Sequence, residues 1–152
     1  MMVRTHLAIT LLAVFLFFQH VSSKIAFVIM IFLASLLPDI DTGFSTLGKT
    51  EVGKLAQFFV KHRGFLHSFT FCLAVSILLA FFIPVLSFGF FLGYSLHLFA
   101  DSFTIEGIKP YWPFKHKISW KIRTGGYTET SVFIVLLLLN IFVLLFFVLG
   151  WI

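Results

Sequence analysis

Six histidines and six acidic residues sit in a chain of 152 residues that is 60% hydrophobic, and eight of the twelve fall at or near the edges of long apolar runs: His6, Asp39, Asp41, His62, His67, His97, Asp101 and Glu129. Imidazole nitrogens and carboxylate oxygens are the donors with which mixed sites hold zinc, manganese or iron. Ionisable groups are costly in or beside a bilayer, so a collection of them there points to a site. The two aspartates of Leu37-Pro38-Asp39-Ile40-Asp41 are one residue apart and share a side of an extended segment, although such a pair at a helix end is as often a cap or turn. In Lys61-His62-Arg63-Gly64-Phe65-Leu66-His67-Ser68, the glycine permits a turn that brings both imidazoles to one point, and Ser68 is placed to cap a following helix.

His97 and Asp101 stand one helical turn apart on one face. Either both hold a metal or Asp101 orients the imidazole from behind. A plain buried His–Asp hydrogen bond would satisfy the same solvation requirement, so the pair is informative only with the others. His6 begins the first apolar run, and Glu129, after Gly125-Gly126, precedes the last. Eight donors exceed what one ion needs and suit two ions about 4 Å apart, or three, an arrangement that activates water and holds both oxygens of a phosphoryl transition state. Arg63, lying between two candidate ligands, has the bidentate geometry to balance phosphate charge.

The elements that must position these groups are helices in lipid. Charged residues make up only 11% of the chain, and Phe occurs 23 times. A water-soluble domain carries roughly 25% charge. Five apolar runs can be drawn, Leu7–Phe18, Ile25–Leu37, Phe69–Ile83, Val85–Ala100 and Val132–Trp151, and only the last reaches the ~20 residues of a full span. The first two are short, about 20 Å each as helix. The expectation is an all-α, multi-span membrane bundle of four to five spans, forming a single domain over 1–152, with polar loops 38–66 and 101–130 on the face that carries the site. A tight turn near Pro84–Phe88 divides runs three and four. Gly89 and Gly93 make a small-xxx-small pair suited to close helix packing. Loop two contains Ile105-Glu106-Gly107-Ile108-Lys109-Pro110-Tyr111-Trp112-Pro113-Phe114 and reads as an ordered, non-helical segment along the interface, with Tyr111 and Trp112 as headgroup anchors. Cys72, the single cysteine, lies within an apolar run and reads as packing.

Under this topology Lys24 alone lies on one side, and the other ten of the 11 basic residues lie opposite. The positive-inside rule then puts the N-terminus and both long loops in the cytoplasm and the C-terminus outside. A signal peptide ending near Val21-Ser22-Ser23 is the weaker reading, because cleavage there would discard His6. The +5 net charge forms no stripe or arm, and nothing offers a stacking platform with a basic groove, so a nucleic-acid partner is not expected.

In order along the chain, Thr5-His6, Leu37-Pro38-Asp39-Ile40-Asp41, His62-Arg63-Gly64-x-x-His67-Ser68, Gly93-Tyr94-x-x-His97-x-x-x-Asp101-x-x-Thr104, Trp112-Pro113-Phe114 and Thr124-Gly125-Gly126-x-x-Glu129 resemble the YdjM-like family of inner-membrane proteins, which is described as metal-dependent hydrolases. The resemblance spans nearly the whole chain. More distantly, it is similar to the zinc-dependent phospholipase C and single-strand nuclease superfamily, in which a helical bundle holds a zinc cluster and water attacks a phosphodiester. That similarity implies metal binding by His97 and Asp101 and a bridging role for Asp39 or Asp41. It departs at the N-terminus, where the soluble enzymes use a processed amino group as a ligand.

The expected function is therefore hydrolysis of a phosphoester, with phospholipid the leading substrate class, at the cytoplasmic membrane surface. Asp39 or Asp41 would orient the water and Arg63 would balance charge. The expected cofactor is Zn2+, as two or three ions, with Mn2+ or Fe2+ also compatible. The alternatives are a structural or regulatory membrane protein with a metal-stabilised loop and, behind it, a metal or proton transporter, which would need its ionisable groups at mid-bilayer.

Overall fold

The computed structural model of the protein describes residues 1–39 and 65–149. Among them are five α-helices: α1 (Val3–Phe17), α2 (Lys24–Leu36), α3 (Phe69–Phe82), α4 (Pro84–Ser102) and α5 (Tyr127–Val148). Short 3-10 turns follow α1 (Phe18–His20) and α2 (Leu37–Asp39). The described residues contain no strand, only two isolated bridges, Thr104 with Ile122 and Ile108 with Ile118. The fold is all-α, as expected.

Two helical segments are long and apolar enough to cross a membrane: Val3–His20 at 18 residues and Tyr127–Val148 at 22, while Phe69–Phe82 is a shorter apolar helix. The first run is thus longer than its hydropathy suggested. Arg4, Thr5 and His6 interrupt the apolar pattern but continue the helix, because Thr5 and His6 are buried against polar partners. The break between α3 and α4 falls at Ile83, one residue before the expected turn. Pro84 takes the first position of α4, where its missing N–H would lack a helical partner anyway.

The helices alternate in direction. Ser87 Oγ donates to Ser76 O and the Cys72 thiol lies against Ser95, which sets α3 and α4 antiparallel. Gly89 faces Phe27 and Gly93 faces Ile31, so α2 and α4 run parallel and in closest approach. Asn140 Nδ2 donates to Ala8 O at 3.0 Å, and Phe15 meets Phe147, which sets α5 parallel to α1. One buried cluster joins α2, α3 and α4 around Ala34, Cys72, Phe90, Tyr94 and Leu98. A second joins α1 and α2 around Ala13, Val14, Phe27 and Ile31. On α5 only Glu129 and Asn140 are buried, so nearly all of its apolar surface faces outward. Alternation brings the starts of α1, α3 and α5 and the ends of α2 and α4 to one end of the bundle.

Candidate metal centre

That end holds His6, Asp39, His67, His97 and Asp101. His97 and Asp101 project from the last two turns of α4, Asp39 closes the 3-10 turn after α2, His67 precedes the start of α3, and His6 lies in the first turn of α1. His67 is held by its neighbours. Ser68 caps α3 by accepting from Phe71 N at 3.2 Å, while the Tyr94 hydroxyl donates to the carbonyl of Leu66.

Asp39, His67, His97 and Asp101 each offer a ligand atom, and the four atoms lie within 4.8 Å of one another. Asp39 Oδ1 is 3.7 Å from both His67 Nε2 and His97 Nε2, and Asp101 Oδ2 is 3.7 Å from His97 Nε2. His6 borders the four, with Nε2 3.4 Å from Asp101 Oδ1 and its ring stacked on His97 at 4.0 Å. The amino group of Met1 also lies against Asp101 Oδ1.

Several polar atoms of this cluster are buried yet unsatisfied. Both ring nitrogens of His6 and of His67, Nε2 of His97 and Oδ2 of Asp101 lack a hydrogen-bond partner among the described residues. Native proteins rarely leave such atoms orphaned, and each costs about 1–3 kcal/mol when they do. A cation accepting the lone pair of one nitrogen on each imidazole would remove part of that cost. His97 shows the orientation expected of a ligand: Nδ1 lies 2.7 Å from Ser35 O, so a proton on Nδ1 donates to that carbonyl and leaves the Nε2 lone pair facing Asp39 and Asp101. Asp39 is the most open of the four, its side chain 24% exposed. Burial by itself would raise its carboxyl; the imidazole of His67, then those of His97 and His6, outweigh that and hold it below the usual carboxylate range. The ionised form is the one that binds a cation.

Glu129 is brought to the same end but is engaged differently. Oε1 accepts from Met2 N at 2.5 Å and from Thr5 Oγ1 at 3.0 Å, and Oε2 accepts from Gly125 N at 2.6 Å. This carboxylate, in the first turn of α5, reaches back over the helix start and ties it to α1, one residue from His6. Glu129→Gln is expected to lower thermal stability by about 1–3 kcal/mol, because an amide must turn a donor toward these donors, while metal content stays at the parent's value. Metal loss at unchanged stability would instead make Glu129 a ligand. Asp41, His62 and Arg63, expected in the same site, lie outside the described residues. Sequence reasoning missed the Ser35 carbonyl; Tyr94, and Thr104, which donates to Asp101 O at 2.7 Å, appeared only within the family pattern.

A helical bundle with two helices long and apolar enough to cross a membrane, and a largely buried His/Asp quartet at one end, defines the class: an all-α protein with a candidate metal centre. The chain belongs to the YdjM inner membrane protein family, whose model matches residues 1–152. It is 30% identical over 106 residues to the uncharacterized protein YvsG of Bacillus subtilis (strain 168), covering 66% of each chain and so just under two thirds of that relative's length. No solved structure matches it.

Proposed function

We propose that the protein is a metal-dependent hydrolase that cleaves a phosphoester, with phospholipid the leading substrate class, at the cytoplasmic surface of the inner membrane. The observation that carries this reading is the quartet whose ligand atoms converge within 4.8 Å, three of its members buried with orphaned polar atoms. When bound, a divalent cation supplies an acidified water and positive charge beside the phosphoryl oxygens; zinc suits the mixed donor set best, with manganese and iron compatible. Asp39, His67, His97 and Asp101 would hold the cation, and Ser35 keeps the His97 ring in register. Asp39, the donor nearest solvent, orients the attacking water and takes up its proton. Asp41 shares that role and Arg63 balances phosphate charge, both on the basis of sequence. His6 and His62 complete the proposed ligand set, with His6 beside Asp101 providing for a second ion, and Glu129 holds α1 against α5 next to them.

In this reading α1 and α5 are full spans and α2, α3 and α4 complete a bundle of four to five crossings. The ten basic residues that the apolar-run topology assigns to the site face support a cytoplasmic N-terminus and an external C-terminus. A structural reading has one observation in its favour: Asp39 and His67 flank residues 40–64, and an ion shared between them would pin the two ends of that segment. A transporter is less well supported, since the donors gather at helix ends rather than along a path through the bundle.

The test is hydrolysis of phospholipids and of generic phosphodiesters by detergent-purified protein loaded with zinc or manganese. Asp39→Asn is expected to lower turnover by about 10²–10⁴-fold, the range that a positioned proton acceptor contributes. A parent protein that binds metal but hydrolyses none of these substrates would favour the metal-pinned loop.

A further inference from the structure

The segment between α4 and α5 builds a framework that it does not use to bury its own large side chains. Gly107, at φ 60°, turns the chain, and Ile108 and Ile118 exchange backbone hydrogen bonds of 2.9 Å in both directions. Ile105 N donates to Ile122 O at 3.0 Å, and Pro110 O accepts from Phe69 N at the head of α3. Ile108 is buried, and with Pro110 it fastens this hairpin to the bundle. Every residue from 111 to 121 is nevertheless exposed. Phe114, Trp120 and Tyr111 are 72%, 65% and 60% exposed. Interleaved with them are the exposed cations Lys109, Lys115, Lys117, Lys121 and Arg123, and Glu106 is the one acid between residues 103 and 125.

We propose that this hairpin, residues 103–125, binds the anionic headgroup surface of the leaflet beside the metal centre. The proposal rests on membership of an inner-membrane family and on charge, and stands whether or not the centre hydrolyses anything. Aromatic rings with one apolar and one polar aspect settle at headgroup depth, and Lys and Arg next to a membrane helix attract anionic lipid. The two kinds of side chain alternate here on a scaffold already fixed by backbone bonds, so ordering the surface costs little on binding. Basic residues among aromatics also suit single-stranded nucleic acid. The tether decides between them. Both ends of the hairpin run directly into α4 and α5, so headgroups are within reach at all times, whereas a nucleic acid would have to approach against a negatively charged leaflet.

The test uses the full chain in lipid nanodiscs with Trp112→Phe and Trp151→Phe, which leave Trp120 as the sole tryptophan. Brominated phosphatidylglycerol is expected to quench Trp120 emission several-fold more effectively than brominated phosphatidylcholine at the same mole fraction. The preference should fall to unity in Lys115→Gln/Lys117→Gln/Lys121→Gln, with thermal unfolding unchanged, and should also fall at high salt, which screens exposed charge. Equal quenching by the two lipids in the parent overturns the proposal. So does a single-stranded oligonucleotide that shifts Trp120 emission in detergent while the lipid preference is absent, since that outcome assigns the surface to nucleic acid.

Discussion

Replacing His97 by alanine is expected to strip the protein of metal. His97 Nε2 lies 3.7 Å from both Asp39 Oδ1 and Asp101 Oδ2, so it is the donor that links the α2 side of the site to the α4 side. Removing even a partner behind a ligand commonly costs about 10–100-fold in metal affinity, and removing the ligand itself should cost more. Metal per chain, measured by plasma mass spectrometry after purification in detergent, should fall from at least one equivalent in the parent to near zero. Asp39→Asn guards against misreading a folding defect: its side chain is partly open to solvent, so metal should drop while thermal unfolding stays close to the parent's. Full metal retention in both variants would remove the basis for the centre.

The second large effect is mechanical. A Cβ on Gly93 would stand 2.2 Å from Ile31 O and 3.0 Å from Ile31 C. Those are backbone atoms of a neighbouring helix and cannot rotate away, so Gly93→Ala must push α2 and α4 apart. Overpacking costs about 1–3 kcal/mol, and more where backbone must shift. The same displacement would carry the Ser35 carbonyl, one helical turn past Ile31, away from His97 Nδ1. Thermal unfolding by circular dichroism in detergent should show a marked drop for Gly93→Ala, together with loss of metal. Gly89→Ala should do much less, because its nearest neighbours, Met30 Cβ and Phe27 O, lie at 3.2 Å. Equal losses at the two positions would contradict the close approach.

Much of this arrangement was legible in the residues. Apolar runs gave the helices to within a few residues, and alternating direction then required His6, Asp39, His67, His97 and Asp101 to meet at one end. Ser68 was recognisable as a cap, loop two as ordered but non-helical, and Gly89 and Gly93 as a packing pair. The errors have a common physical origin. Hydropathy started the first and last helices too late, since Thr5, His6 and Glu129 are polar residues that continue a helix once they are paired with one another and with Asp101. The hydrogen bonds of Glu129 to Met2, Thr5 and Gly125 were not foreseen, because they depend on α1 lying beside α5, which local sequence does not encode. The carbonyl of Ser35 and its bond to His97 were invisible for a simpler reason: every residue has a carbonyl, and only the parallel seating of α2 on α4 selects that one.

That parallel seating has a consequence for biogenesis. Neighbouring helices in an alternating chain are antiparallel, so α2 can lie parallel to α4 only after the α3–α4 hairpin has folded back across the earlier part of the chain. Asp39 follows α2, whereas His67, His97 and Asp101 belong to the α3–α4 hairpin and its lead-in, and neither part alone offers all four donors. In the reading proposed above, the four donors come within reach of one another only once the later hairpin has docked on α2.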